Sequence, residues 1–217
     1  MSNKKFGICM AGLETAMERH LNDVIKRFKS VTYLEIGVAY GHTLTSMSAI
    51  ARDSGHPWRS VGIDLPKGYS LHIPTVRQSA SEFHLGVTVL QQFDKSITPD
   101  WNQITICLCP SQTLLENYWP GDPIHMALID GCHGKPCVTA DFKLVSKYVP
   151  SGGLVAFHDF GEDSVGEPQP HCGLGDTLGA CRELGLLDGS LAGWKHIDTV
   201  VGDKALIGRD LGVFQKL

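Results

Sequence analysis

Five short runs of this chain are largely apolar, and each carries a polar residue at or near its carboxyl end. They read VTYLEIG, WRSVGIDL, ITICLCPS, HMALIDG and GGLVAFHDF. Runs with no polar face to offer water are expected to be strands buried on both sides of a parallel sheet. Helical stripes alternate with them. From Leu13 to Phe28, apolar residues recur at Leu13, Ala16, Met17, Leu21, Val24, Ile25 and Phe28. Residues Thr43–Arg52, 136–148 and Thr177–Leu187 read as three further helices, the second stopped by Pro150, Gly152 and Gly153. Near the C-terminus, HIDTVV and KALIGRD read as two strands of a hairpin turning over Gly202 and Asp203. The stretch 66–103 is less regular, with VTVLQQ a short candidate strand. Residues 161–176, rich in Gly and Pro, read as a surface loop.

Alternating strands and helices predict an α/β fold with helices on both sheet faces. Ligands of such sheets bind beyond the carboxyl ends of the strands. The polar residues at those ends are Glu35, Asp64, Ser111, Asp130, His158 and Asp159, so they are candidates for one crevice.

Composition narrows the function. Lys and Arg number 19 against 23 Asp and Glu, a net charge of −4, with no basic stripe to suit a nucleic acid. No apolar stretch approaches a membrane span, and MSNKKFGICMAG lacks the apolar core of a signal peptide. Seven cysteines without a C-x-x-C pair argue against a cysteine zinc site, and they are expected as reduced thiols of a cytoplasmic protein.

The first strand runs into LEIGVAYGHT, residues 34–43. Gly37 and Gly41 would let the backbone turn tightly and approach a ligand. The dinucleotide pattern G-x-G-x-x-G is absent, because Ala39 stands where its middle glycine would be. Glu35 would repel a pyrophosphate and suits a cationic or hydrogen-bond-donating group; capping the next helix is its plainer role. Asp64 ends the second strand, where a carboxylate can accept from both ribose hydroxyls. Its plainer role is to form a turn before Leu65 and Pro66. The pattern points to a nucleoside ligand without phosphates.

These residues support a resemblance. From about Tyr33 to Arg209 the chain resembles class I S-adenosylmethionine-dependent methyltransferases, within the macrocin and rhamnosyl O-methyltransferase-like group, methyltransferase domain 24. LEIGVAYGHT resembles their first motif and VGID their acidic second. CPSQTLL, ALIDGCH and GGLVAFHDF resemble the motifs after the third, fourth and fifth strands. The resemblance implies a Rossmann-like, doubly wound, mostly parallel seven-stranded sheet with a C-terminal antiparallel hairpin. Residues 31–217 would form this domain and 1–30 an N-terminal helical extension. S-adenosylmethionine would be the cofactor. Glu35, Gly37 and Gly41 would line its methionine part, Asp64 would hold the ribose, Ser111 would lie near the adenine, and Asp130 would also line the site.

The implied reaction is methyl transfer to a hydroxyl of a small molecule, a sugar or glycosylated metabolite. A hydroxyl must lose its proton to a base, to a metal that lowers its pKa, or to both. In the related sugar O-methyltransferases the Asp of D-G-x-H binds a divalent metal and the His is the base. Carried over, Asp130 is a metal ligand and His133 the base, with Asp159 and His158 as further ligands of a magnesium ion. The alternatives are that His133 caps a helix and that His158 and Asp159 contact substrate or support the crevice wall. Glu162, Asp163, Glu167 and His171, in the loop 161–176, could close over the acceptor. The N-terminal helix and residues 66–103 could shape the acceptor pocket or a homo-oligomer contact. Competing readings are a non-catalytic S-adenosylmethionine-binding regulator, a nicotinamide-dependent oxidoreductase and a metal-dependent hydrolase.

Overall fold

A computed structural model describes residues 13–38, 41–65, 103–166, 168–169, 173–202 and 210–217. The five apolar runs form parallel strands: β1 (Val31–Ile36), β2 (Trp58–Asp64), β3 (Ile104–Leu108), β4 (Met126–Ile129) and β5 (Leu154–Phe157). Two antiparallel strands, β6 (Trp194–Val200) and β7 (Leu211–Lys216), complete the sheet. The seven strands lie in the order β3-β2-β1-β4-β5-β7-β6. This is the expected Rossmann-like, doubly wound architecture with its antiparallel C-terminal pair.

Each central strand is buried on both faces, and its residues alternate between two cores. Val31 and Tyr33 face one side of β1, while Leu34 and Ile36 face the other. On the first side lie α1 (Glu14–Phe28) and α2 (His42–Asp53); on the second lie α3 (Ser111–Asn117), α4 (Lys135–Tyr148) and α5 (Thr177–Glu183). The α1 stripe seats Met17, Leu21, Val24 and Ile25 against Val31, Tyr33, Met126 and Leu128. Each such side chain contributes about 1.5–3 kcal/mol on burial. The helix expected as an N-terminal extension therefore shares one core with the sheet. It stops at Lys29, whose backbone turns left-handed at φ 55° and whose N–H bonds the Ile25 carbonyl. No helix among the described residues is long and apolar enough to cross a membrane.

Several local expectations are corrected. The last strand among the described residues is Leu211–Lys216, which was not marked from the sequence; residues 204–209 of KALIGRD lie outside the described residues, as does VTVLQQ. Buried Leu211, Val213 and Phe214 pack in the sheet cores, so the strand falls where apolar side chains meet both faces. The final helix ends at Glu183, short of Leu187, where Leu184 caps it and Gly185 turns at φ 74°. The loop 161–176 is more ordered than expected. It holds a 3-10 turn at Glu162–Ser164 and a two-stranded ribbon, Pro168–Gln169 with Gly173–Leu174.

After β3 the chain returns to the other side of β1 and enters as β4. The sheet order therefore reverses between β1 and β4, and a ligand crevice is expected beyond their carboxyl ends. Ile36 and Ile129 are register partners there, so Gly37 and Asp130 emerge side by side.

Candidate active site

Gly37 is the tightest point of this crevice. Its N–H bonds the Ile63 carbonyl at 2.8 Å, and the Asp130 N–H bonds the Ile36 carbonyl at 2.8 Å. Gly37 has φ +89°, and a Cβ added to it would lie 2.1 Å from the Asp130 carbonyl oxygen. Gly41 also has positive φ, 75°, and starts α2. Both glycines named from the sequence thus stand where the backbone requires them.

Asp64 lies at the end of β2 beside this loop. It accepts from the Val38 N–H at 3.1 Å and from the Leu65 N–H at 2.7 Å. Its carboxylate is thereby fixed at the rim and remains partly accessible. Glu35 lies deeper, at 2% exposure, and accepts from the Tyr33 hydroxyl at 2.8 Å. Burial drives its carboxyl well above the usual range, and Asp130 and Asp64 add to the rise; Tyr33 and the Leu44 amide at the start of α2 oppose it. The structure thus puts Glu35 beneath the loop, where it braces the entry to α2.

The Ser111 hydroxyl, in the first turn of α3, donates to Asp141 of α4. Burial pushes the Asp141 carboxyl up to about 6, and the Ser111 bond works against that rise. The folded state therefore favours the protonated acid more than the unfolded chain does. Stability linked to this group is full below the unfolded pKa of about 4 and is lost as pH rises through 6. Asp141→Asn removes the buried charge, and it is expected to gain about 2 kcal/mol at pH 7.5 and little at pH 4. Urea unfolding at both pH values checks this, and a variant weakened at pH 7.5 would contradict it.

The chemistry-bearing groups gather past β4 and β5. The His158 Nδ1 lies 2.8 Å from Asp130 Oδ1 and 3.4 Å from Asp159 Oδ1. The His133 Nε2 lies 3.7 Å from Asp130 Oδ1 and 3.6 Å from Asp159 Oδ2. All four side chains are largely buried. Neighbouring residues of a strand point to opposite faces, yet His158 and Asp159 reach one cluster because β5 ends at Phe157 and Asp159 turns left-handed at φ 53°. The turn carrying His133 is pinned from outside. The Asp176 N–H bonds the His133 carbonyl at 2.9 Å, and Gly134 pairs with Gly175. The loop 161–176 thus supports the turn that bears the expected base. Within that loop, Glu162 pairs instead with Arg182; Glu167, His171 and the side chain of Asp163 lie outside the described residues.

Cys107, Cys109, Cys137 and Cys181 are free, as expected. Cys132 is disulfide-bonded, which corrects the expectation of reduced thiols at this position. Its spacing to the other cysteines carried no sign of it.

Three partners were not singled out from the sequence: Tyr33, Asp141 and the Val38 amide. Tyr33 stands two residues before Glu35 in a strand, so both were bound to share a face. Asp141 sits within the stripe of Val138, Phe142 and Val145, an acid on a buried helix face. Nothing in residue identity marks the Val38 amide.

The methyltransferase domain model matches residues 34–160, more than half of the chain, and spans Glu35, Gly37, Gly41, Asp64, Ser111, Asp130, His133, His158 and Asp159. The chain belongs to the methyltransferase domain family. This methyltransferase matches no curated protein. It is similar in fold to the O-methyltransferase TomG from Streptomyces achromogenes, involved in tomaymycin synthesis and solved with S-adenosylmethionine. That match has 17% identity and a TM-score of 0.61, and covers 93% of this chain and 79% of TomG. It is also similar to the O-methyltransferase NovP, at 16% identity and TM-score 0.62, covering 94% of this chain and 78% of that one. A third match is the TDP-rhamnose 3'-O-methyltransferase CalS11 of calicheamicin biosynthesis, at 16% identity and TM-score 0.55, covering 94% and 78%.

Proposed function

We propose that this methyltransferase transfers the methyl group of S-adenosylmethionine to a hydroxyl of a small molecule, a sugar or glycosylated metabolite. The observation that carries the reading is the cluster of His133, Asp130 and Asp159 at the sheet's reversal point, directly beside the Gly37 loop. The fold neighbours named above as O-methyltransferases, one acting on a nucleotide sugar, favour oxygen and sugar over other acceptors.

The cofactor fits the residues present. Gly37 and Gly41, both at positive φ, carry the backbone turn past β1, and beside it Asp64 offers a fixed, partly accessible acceptor for ribose hydroxyls. Ser111 stands at the end of β3, where the adenine would lie. Bound there, S-adenosylmethionine supplies an electrophilic methyl group. With it bound, His133 Nε2 would take the proton of the acceptor hydroxyl as that oxygen bonded the methyl carbon, leaving a methyl ether and S-adenosylhomocysteine. Asp130 and Asp159 flank the imidazole, at 3.7 and 3.6 Å from its Nε2. The rest of the work is alignment of oxygen and methyl. The reading keeps residues 31–217 as the part that bears the transfer site, with α1 of the segment 1–30 packed into its core.

The test is incubation with radiolabelled S-adenosylmethionine and a panel of nucleotide sugars, glycosides and simple alcohols. The expected result is a methyl ether formed in equal amount with S-adenosylhomocysteine. Cofactor binding without turnover on any acceptor would favour the non-catalytic regulator instead.

A further inference from the structure

Magnesium is a poor match to the cluster past β4 and β5. It prefers octahedral oxygen ligands, usually carboxylates and water. Here one donor atom from each of Asp130, His133 and His158 lies within 4.8 Å of the other two, and two of the three are imidazole nitrogens. We propose that Asp130, His133 and His158 form a binding site for a divalent transition-metal ion of the zinc, cobalt or nickel type, and that the site discriminates against magnesium.

Spacing supports this. A tetrahedral ion with bonds of about 2.0–2.1 Å sets its ligand atoms about 3.3 Å apart. The His158 Nδ1–Asp130 Oδ1 and His133 Nε2–Asp130 Oδ1 separations, 2.8 and 3.7 Å, lie on either side of that length. Donor chemistry supports it too, because imidazole suits zinc, copper, iron and nickel, whereas magnesium takes carboxylate, carbonyl and water. The charge balances, since Asp130 and Asp159 together offset a dication. Asp159 lies 3.4 Å from the His158 ring and 3.6 Å from the His133 ring, so a second carboxylate flanks both imidazoles. The ligands are held in advance. The His158 N–H bonds the Ile129 carbonyl at 3.1 Å, and Asp176 and Gly175 pin the His133 turn. One nitrogen, His133 Nε2, serves both the ion and the proton of the proposed transfer, so a loaded enzyme is without its base.

The inference stands on these side chains and not on the methyl acceptor, and it is read without turnover. The full chain, without a polyhistidine tag and stripped with chelator, is titrated with cobalt and followed by visible absorption. Zinc and magnesium are then added as competitors. The expected result is one cobalt per chain with visible bands and no thiolate charge-transfer band. Zinc should displace it, and magnesium in about a hundredfold excess should not. His158→Gln and His133→Gln should each weaken cobalt binding by about tenfold or more, while both variants keep wild-type circular dichroism and S-adenosylhomocysteine binding. Absent cobalt binding, thiolate bands, displacement by magnesium, or unchanged affinity in the folded variants would each overturn the proposal.

Discussion

Replacing His133 with alanine is expected to lower kcat for methyl transfer by about 10²- to 10⁴-fold, the usual worth of a positioned general base. Affinity for S-adenosylhomocysteine should be unchanged, because the groups proposed to hold its ribose and adenine, Asp64 and Ser111, stand past β2 and β3, away from the His133 imidazole. The two effects separate because backbone bonds from Asp176 and Gly175 hold the turn that carries His133 independently of the imidazole. The alanine variant should therefore fold, and added imidazole should restore part of the rate. Initial rates against S-adenosylmethionine concentration, with binding measured in parallel, check this. A variant retaining most of its kcat would move the proton to another acceptor, Asp159 first, since it lies 3.6 Å from the same nitrogen.

Gly37→Ala should have the largest effect on the fold. The new methyl would sit 2.1 Å from the Asp130 carbonyl oxygen and 2.6 Å from the Gly131 Cα, and its backbone would keep φ near +89°. Both obstacles are backbone atoms of the neighbouring strand end, so neither can rotate away. Relief requires parting β1 from β4 at the crevice itself. A loss of about 4 kcal/mol or more is expected, in the range of severe core lesions. Gly55→Ala is the control. Gly55 also has positive φ, +71°, but nothing lies within 4 Å of its added Cβ. It should lose only about 1 kcal/mol, the cost of the left-handed backbone. Urea unfolding of the two variants beside wild type gives the comparison. Equal losses would mean that the conformation, not the contact with Asp130, makes Gly37 necessary.

The sheet was legible because its strands are buried on both faces. VTYLEIG and HMALIDG have no other stable use in a folded chain, and their polar ends fell at the reversal point as expected. The strand Leu211–Lys216 was not read from the sequence, because periodicity alone does not mark so short an apolar run as a strand. What marks it is long-range: Phe214 packs edge-on against Phe157 and Phe160. The candidate site shows the same division. Gly37, Asp64, Asp130 and His133 stand at strand ends, where position alone marks them. Their supporting partners come from elsewhere: Asp141 from a helix 30 residues beyond Ser111, and Asp176 from a loop read as a surface segment or a closure over the acceptor, not as a support. Ordering His158 against Asp159 needed the backbone, because the left-handed turn at Asp159 breaks the alternation that a continuing strand would impose.

On the proposed function, the loop at Gly37 and the Asp64 carboxylate hold an S-adenosyl cofactor. The most direct measurement is calorimetric titration of the wild type and of Asp64→Ala with S-adenosylhomocysteine, with NAD as the comparison ligand. Binding of S-adenosylhomocysteine but not NAD, weakened about tenfold or more in Asp64→Ala by loss of a charged hydrogen-bond acceptor, is the expected result. Failure of S-adenosylhomocysteine to bind, or equal binding to the folded Asp64→Ala variant, would contradict it.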